Sequence, residues 1–388
     1  MSARMDSTVA SPRYRPMVSS RLAWLASVVF CAVLPAVVLV ALFSVSIYDG
    51  SDAIDFRQFY RGAEDILRGE NPYPSPGDPL TASGRPYVYP PLPAIAVIPL
   101  TVVSLSIAEI LVMTAQVLLV LAIPFVLGVR DWRCYGVVFL WPPVISAIQT
   151  SNPTLVFALA AAVAWRFRDH RVATSASLGW TLAVKFVLWP LVVWLAATRR
   201  LASAVLACVT AGVLLLLSWA AIGFAGFTGY PDLLRRLEDT IGRDAYTTYV
   251  VALDLGASTA VARALSLAFG LLLLTAVVWS ARRRDERSAF IFAIAAALAL
   301  SPLVWLHYFA LLVVVAALAQ PRLGALWFLP LLMFVSPGRG NPTLLETVVA
   351  LGAAALTIAL ALRETLGGER ALQPDSERSF GEARARAA

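Results

Sequence analysis

Asp55 opens a stretch in which acids and arginines are interleaved with aromatics, Ser51-Asp52-Ala53-Ile54-Asp55-Phe56-Arg57-Gln58-Phe59-Tyr60-Arg61-Gly62-Ala63-Glu64-Asp65-Ile66-Leu67-Arg68-Gly69. A carboxylate fixed at a rigid helix start can serve as a general base. The same residue type is also a common helix cap, and the sequence leaves both roles open for Asp55. Arg57 and Arg61, spaced i,i+4, project from one side near the start of that helix, where a lipid phosphate could be met. Lys185 stands inside the apolar run Gly179-Trp180-Thr181-Leu182-Ala183-Val184-Lys185-Phe186-Val187-Leu188-Trp189-Pro190. An ammonium is costly there, so it either faces a polar cavity with an anionic partner such as a phosphate or snorkels to the interface. His307 falls between two apolar runs, where a binding role and a hydrogen-bonded structural role are both open. Gln149 and Asn152 form a polar break, Ile148-Gln149-Thr150-Ser151-Asn152-Pro153. Helix capping accounts for Asn152, and a sugar-hydroxyl contact is the alternative.

The elements that would carry these groups are helical. Phe56, Phe59, Tyr60, Ala63, Ile66 and Leu67 recur at helical spacing, with Asp55 at the N-cap position, Gly69 at the stop and Pro72 beyond. This predicts an amphipathic helix of about four turns, lying flat on a bilayer with its aromatics at the lipid boundary. The rest of the chain is membrane-like. Of 388 residues, 59% are hydrophobic and 14% charged, and mean hydropathy is +0.76. Soluble domains carry about 25% charged residues, so a water-soluble globule is excluded. The apolar runs are continuous rather than alternating, which excludes a barrel.

Twelve apolar segments are expected as transmembrane or half-spanning helices: 22–47, 90–104, 107–129, 135–148, 153–167, 172–198, 201–224, 258–281, 288–304, 306–319, 323–335 and 343–362. Several are short for a full span. The chain therefore divides into a basic cytoplasmic tail (1–21), a membrane domain (22–363) with outer loops at 48–89 and 225–257, and a disordered cytoplasmic tail (364–388). Segment 22–47 is too long for a signal-peptide core and is read as a retained helix. The net charge of +7 rests on 30 arginines and a single lysine. Arg199-Arg200 and Arg282-Arg283-Arg284 mark the inner side. Simple alternation leaves Arg130, Arg133, Arg166, Arg168 and Arg171 outside and is the favoured arrangement. Re-entrant hairpins around Asn152 and Lys185 would bring them inside.

Some partners are excluded by pattern. No basic run is interleaved with aromatics outside the membrane, so nucleic acid is not a partner. Cys31, Cys134 and Cys208 lack paired spacing and read as core residues. With two histidines, His170 and His307, and no acidic or Cys cluster around them, neither a metal nor another cofactor is expected.

The acid opening an aromatic amphipathic segment, followed by Leu67-Arg68-Gly69-Glu70-Asn71-Pro72-Tyr73 and Tyr87-Val88-Tyr89-Pro90-Pro91-Leu92, resembles glycosyltransferase family 87. So do the Gln-x-x-Asn break, the internal Lys185 and the Ser-Pro-x-x-Trp-x-His-Tyr stretch from Ser301 to Tyr308. The likeness runs from about residue 50 to 315. The family commonly shows Gly before a Gln-x-Asn spacing, where this chain has Ala147 and one extra residue. The resemblance implies an all-α GT-C-like membrane enzyme, similar to mycobacterial phosphatidylinositol-mannoside mannosyltransferases. It further implies a polyprenyl-phosphate mannose donor, a glycolipid or glycan acceptor, inversion without a metal, and action on the outer face of the cell membrane. Asp55 would then be the base, with Arg57, Arg61, Lys185 and His307 as candidate phosphate partners. A multi-pass transporter or lipid flippase is the alternative; it would use Asp55 and Lys185 as substrate charges, but no internal repeat supports it.

Overall fold

A chain this apolar must satisfy its main chain within its own helices, and it does. The computed structural model describes residues 17–49, 53–75, 86–336 and 342–372, and every element among them is helical. The first long helix is α1, Met17–Val28, joined through one π turn to α2, Leu34–Asp49. Then follow α3 (Ile54–Leu67), α4 (Pro91–Val97), α5 (Leu105–Val126), α6 (Trp132–Val138), α7 (Pro142–Thr150), α8 (Thr154–Arg166), α9 (Arg171–Val184) and α10 (Pro190–Ala197). The second half comprises α11 (Leu201–Ala221), α12 (Tyr230–Ile241), α13 (Thr248–Asp254), α14 (Thr259–Arg282), α15 (Glu286–Leu300), α16 (Leu312–Ala319) and α17 (Leu344–Leu372). Side-chain caps fix several starts: Asp131 accepts from the Arg133 amide, Asp285 from Ser288 and Thr247 from Val250.

Five helices among the described residues are long and apolar enough to cross a membrane: 21–48, 105–126, 201–221, 259–282 and 344–365. The pair α7 and α8 makes a sixth if its 117° bend is taken as one broken span. The remaining expected segments are shorter apolar helices, such as Pro91–Val102 and Leu306–Ala319. Of the expected tails, 17–21 already belong to α1 and 364–372, expected to be disordered, continue α17; the remainder, 1–16 and 373–388, lies outside the described residues.

One break departs from the expected segments, and the expected polar break at Asn152 takes a sharp form. Segment 172–198 is not one helix: α9 stops at Val184, and Lys185 is extended (φ −158°, ψ 128°) before a 3-10 turn at Phe186–Leu188. Pro190 explains this, since its ring would clash with the Phe186 carbonyl in a continuous helix. The α7–α8 turn passes through Ser151 at φ +50°, with Pro153 enforcing the bend.

Contacts between junctions sort the helix ends into two groups. At one end Arg200 binds Glu286 (3.0 Å) and Asp169 (2.8 Å), and Arg168 binds Glu286 (3.1 Å). Asp131 accepts from the Leu323 amide (3.0 Å), and Ser288 meets Thr365 (3.1 Å). At the other end Asn152 meets Asp55, Tyr230 meets Val88, and the Tyr246 amide donates to Val304 (2.7 Å). Simple alternation is thereby overturned. The Arg166–Arg171 junction lies with Arg200 and Glu286 because both the Asn152 and Lys185 breaks turn back as hairpins.

A helix, α3, stands where the amphipathic surface helix is expected, but its aromatic face is covered by protein. Phe56, Phe59, Tyr60 and Ala63 are buried against α4 and the 3-10 turn after it. The Pro-rich entry at Pro90-Pro91 folds that segment back over α3.

Candidate active site

Helix α3 begins at a constrained point. Ala53 adopts the left-handed conformation (φ 56°) with its side chain fully buried, and its amide donates to the Gln149 carbonyl at 2.7 Å. A non-glycine residue held there costs on the order of 1–2 kcal/mol. Ser151, on the other side of the same contact, is left-handed too. Such outliers persist where the surroundings over-determine them, and they concentrate at working sites.

Asp55 is therefore the second residue of α3 and not its cap; no side chain caps this helix. Its Oδ2 instead accepts from Asn152 Nδ2 at 2.8 Å. The orientation of that amide is fixed by its other end. Asn152 Oδ1 accepts from both the Thr154 amide (2.9 Å) and the Thr154 hydroxyl (2.6 Å), so the NH2 group must face Asp55. The Asn152 carbonyl accepts from Gln116 of α5 at 2.9 Å. Asn152 itself is 3% exposed. Burial raises the Asp55 carboxyl above the ordinary carboxylate range, opposed by the Asn152 amide, the Lys185 charge and Thr150.

Lys185 sits at the α9 break with its ammonium 4.9 Å from the ring centroids of both Tyr89 and Tyr308. Two such contacts contribute about 0.5–2 kcal/mol each while leaving the charge available to an anion. The ammonium is thereby flanked by two rings at the site end of the bundle. His307 is buried and stacks on Tyr308 (5.1 Å between centroids, 27°), and its Nε2 has no hydrogen-bond partner. Lys185 lies close enough for its charge to act on that imidazole.

The structure thus brings Asp55, Asn152, Lys185 and His307 to one end of the bundle, with the Gln149 backbone holding the start of α3. Arg57 and Arg61 are not part of that group. Arg57 Nε binds Glu109 of α5 at 2.5 Å, with Glu109 only 4% exposed. Arg61 is exposed. The charge that acts on the Asp55 carboxyl is Lys185.

Several site residues escaped sequence reasoning. Tyr89 and Tyr308 enclose Lys185, and Thr154 sets the Asn152 amide. Glu109 and Gln116 had a visible signal: two polar residues seven apart on one face of a span ask for partners. Among the described residues, no group of three or more His, Cys, Asp or Glu side chains is placed to hold a metal ion.

A half-buried carboxylate with a cation close enough to act on it can remove a proton from one group while the cation stabilises an anion leaving another. Comparison with known proteins gives that chemistry a family. No significant match exists among curated proteins or solved structures. Residues 87–305, more than half of the chain, match glycosyltransferase family 87, and that stretch holds Tyr89, Asn152 and Lys185. The chain is a membrane glycosyltransferase and belongs to glycosyltransferase family 87.

Proposed function

We propose that this enzyme transfers a hexose, mannose in the first instance, from a polyprenyl-phosphate sugar to a lipid-linked or cell-envelope glycan, with inversion and on the outer face of the cell membrane. The observation that carries the reading is the pairing of Asp55 with Asn152 beside the Lys185 ammonium. Asp55 removes the proton from the acceptor hydroxyl as that oxygen attacks the anomeric carbon. The carbon–phosphate-oxygen bond breaks on the opposite face, and its electron pair leaves with the polyprenyl phosphate. Lys185 stabilises the departing phosphate, and the unpartnered His307 Nε2 can meet a phosphate or sugar oxygen. The proton then returns from Asp55 to solvent.

Arginine placement supports an outward-facing site. Arg168, Arg200 and the Arg282–Arg284 cluster gather at the end opposite Asp55, and the positive-inside rule assigns that end to the cytoplasm. The long apolar helices agree with a donor delivered from the bilayer. The test is direct: purified protein in lipid nanodiscs, labelled polyprenyl-phosphate mannose, its glucose and galactose counterparts, and an envelope-lipid acceptor pool, all with excess chelator. Label should pass from the mannose donor into a glycolipid that α-mannosidase cleaves. Transfer from a nucleotide sugar alone, or strict dependence on added divalent cation, would overturn the reading.

A further inference from the structure

Segment Val88–Pro90 carries Tyr89, one wall of the Lys185 enclosure, yet it has no regular secondary structure to hold it. Three tyrosine hydroxyls donate to its three consecutive carbonyls: Tyr230 to Val88 (2.8 Å), Tyr73 to Tyr89 (2.9 Å) and Tyr87 to Pro90 (2.6 Å). Their rings form one packed cluster. Tyr73 stacks on Trp219 (5.2 Å, 15°) and meets Tyr230 edge-on (5.5 Å, 70°) and Tyr87 (5.5 Å). Gly226 permits the approach of the second loop: it is left-handed (φ +76°), and a Cβ there would stand 2.6 Å from the Tyr73 ring. From the other side Phe59 of α3 packs edge-on against Tyr89 at 4.8 Å. Phe59 lies one turn from Asp55 on the same helix.

We infer that Tyr73 and Tyr230 are positioning residues: through the Val88 and Tyr89 carbonyls they hold the Tyr89 ring over the Lys185 ammonium, tying the two loops of the site end to the cation. A hydroxyl bound to a backbone carbonyl sets where that peptide lies, and so the point from which the Tyr89 side chain starts, while Phe59 packing on the ring selects the rotamer that faces Lys185. Clamping both Val88 and Tyr89 therefore fixes Tyr89 more tightly than ring packing alone. The inference rests on the proposed role of Lys185 for its consequence in transfer, but the clamp can be read without any turnover.

Lys185 is the single lysine of the chain, so an amine-reactive acylating reagent reports on it directly. Its modification is followed by mass spectrometry against the N-terminal amine as internal reference. Tyr73→Phe and Tyr230→Phe each keep the ring and remove the hydroxyl. Each should speed Lys185 acylation by about fivefold, the factor equivalent to a typical net hydrogen bond. In a Tyr89→Leu background, where the shielding ring is already gone, the same two changes should add nothing further. Unchanged acylation in the Tyr73→Phe/Tyr230→Phe protein would overturn the clamp, as would an effect that persists undiminished without Tyr89. Donor KM, measured on the same proteins, should rise with the acylation rate while expression is unchanged. Faster acylation in a protein that transfers no sugar at all would uphold the clamp and defeat the functional reading instead.

Discussion

Asp55 and Asn152 are 97 residues apart in sequence and share a 2.8 Å hydrogen bond whose donor cannot turn away, because Thr154 holds the other end of the amide. A polar break between two short helices is thereby aimed at the first turn of a third. The carboxylate that results is half-buried, steadied by a neutral donor and drawn on by one cation, Lys185. Neutral assistance matters: an arginine in place of Asn152 would hold the carboxylate so strongly that it would be a poor base.

The acid limb of the pH–rate profile follows from these terms. Burial raises the Asp55 carboxyl while Asn152 and Lys185 lower it. The protonated form cannot accept a proton, so activity falls as pH drops through the raised value. That limb should lie above the ordinary carboxylate range of about 4. Asn152→Ala removes a bond that favours the charged form, so the limb should move to still higher pH. A limb that moves to lower pH in Asn152→Ala would contradict the arrangement.

Lys185→Met removes the charge and keeps a flexible apolar chain between Tyr89 and Tyr308. Donor KM should rise and kcat should fall, because the phosphate is more negative as it leaves. Lys185→Arg keeps charge but changes shape and should recover part of the loss. Donor kinetics unchanged in the Met variant would show that the enclosure is structural alone.

Arg57 and Arg61 separate under the same logic. Arg57→Ala strands the nearly buried Glu109, and breaking a buried pair costs about 3–5 kcal/mol; thermal denaturation in detergent should register a marked loss. Arg61 is exposed, and Arg61→Ala should leave the melting temperature within a degree or two of wild type. Equal, small effects would mean that Glu109 finds another partner.

Much of this was legible in sequence for physical reasons. Hydropathy disclosed the helices, since a main chain in lipid has so few solutions, and Phe56, Phe59 and Tyr60 announced α3 by their spacing. What the pattern could not give was the body against which that face packs. An aromatic stripe has the same periodicity whether lipid or α4 covers it. Lys185 was visible by its cost in an apolar run, but its two tyrosines come from segments 96 and 123 residues away. No local signal joins them. The capping reading of Asp55 failed because Ala53 takes a left-handed conformation that propensity alone would not assign to alanine.

The hairpins at Asn152 and Lys185 make a topological prediction that alternation does not. Cysteines placed singly at Asp239 and Arg171, with Cys31, Cys134 and Cys208 replaced by alanine, would be probed with an impermeant thiol reagent on intact cells. Asp239 belongs to α12 near the site end, and Arg171 to the junction beside Arg200 and Glu286. Asp239 should label and Arg171 should not. Labelling of both would restore alternation through 130–171 and remove the arginine argument for an outward site.

Asp55→Asn is the most demanding test of the mechanism. The asparagine is isosteric, and its carbonyl can still accept from Asn152, so α3 keeps its anchor. No helix cap is lost, because Asp55 caps nothing. Stability should therefore hold, as the partly buried charge that is removed offsets the Lys185 attraction that is lost. Expression, melting temperature and donor binding should match wild type. Transfer should fall by about 10²–10⁴-fold, the usual contribution of a positioned base. The residual rate should also lose its acid limb, since the group that titrates is gone. A variant with near-normal turnover would mean that the proton leaves by another route. A variant that fails to bind donor would assign Asp55 to the sugar instead. The two outcomes separate cleanly when donor binding and transfer are measured on one preparation.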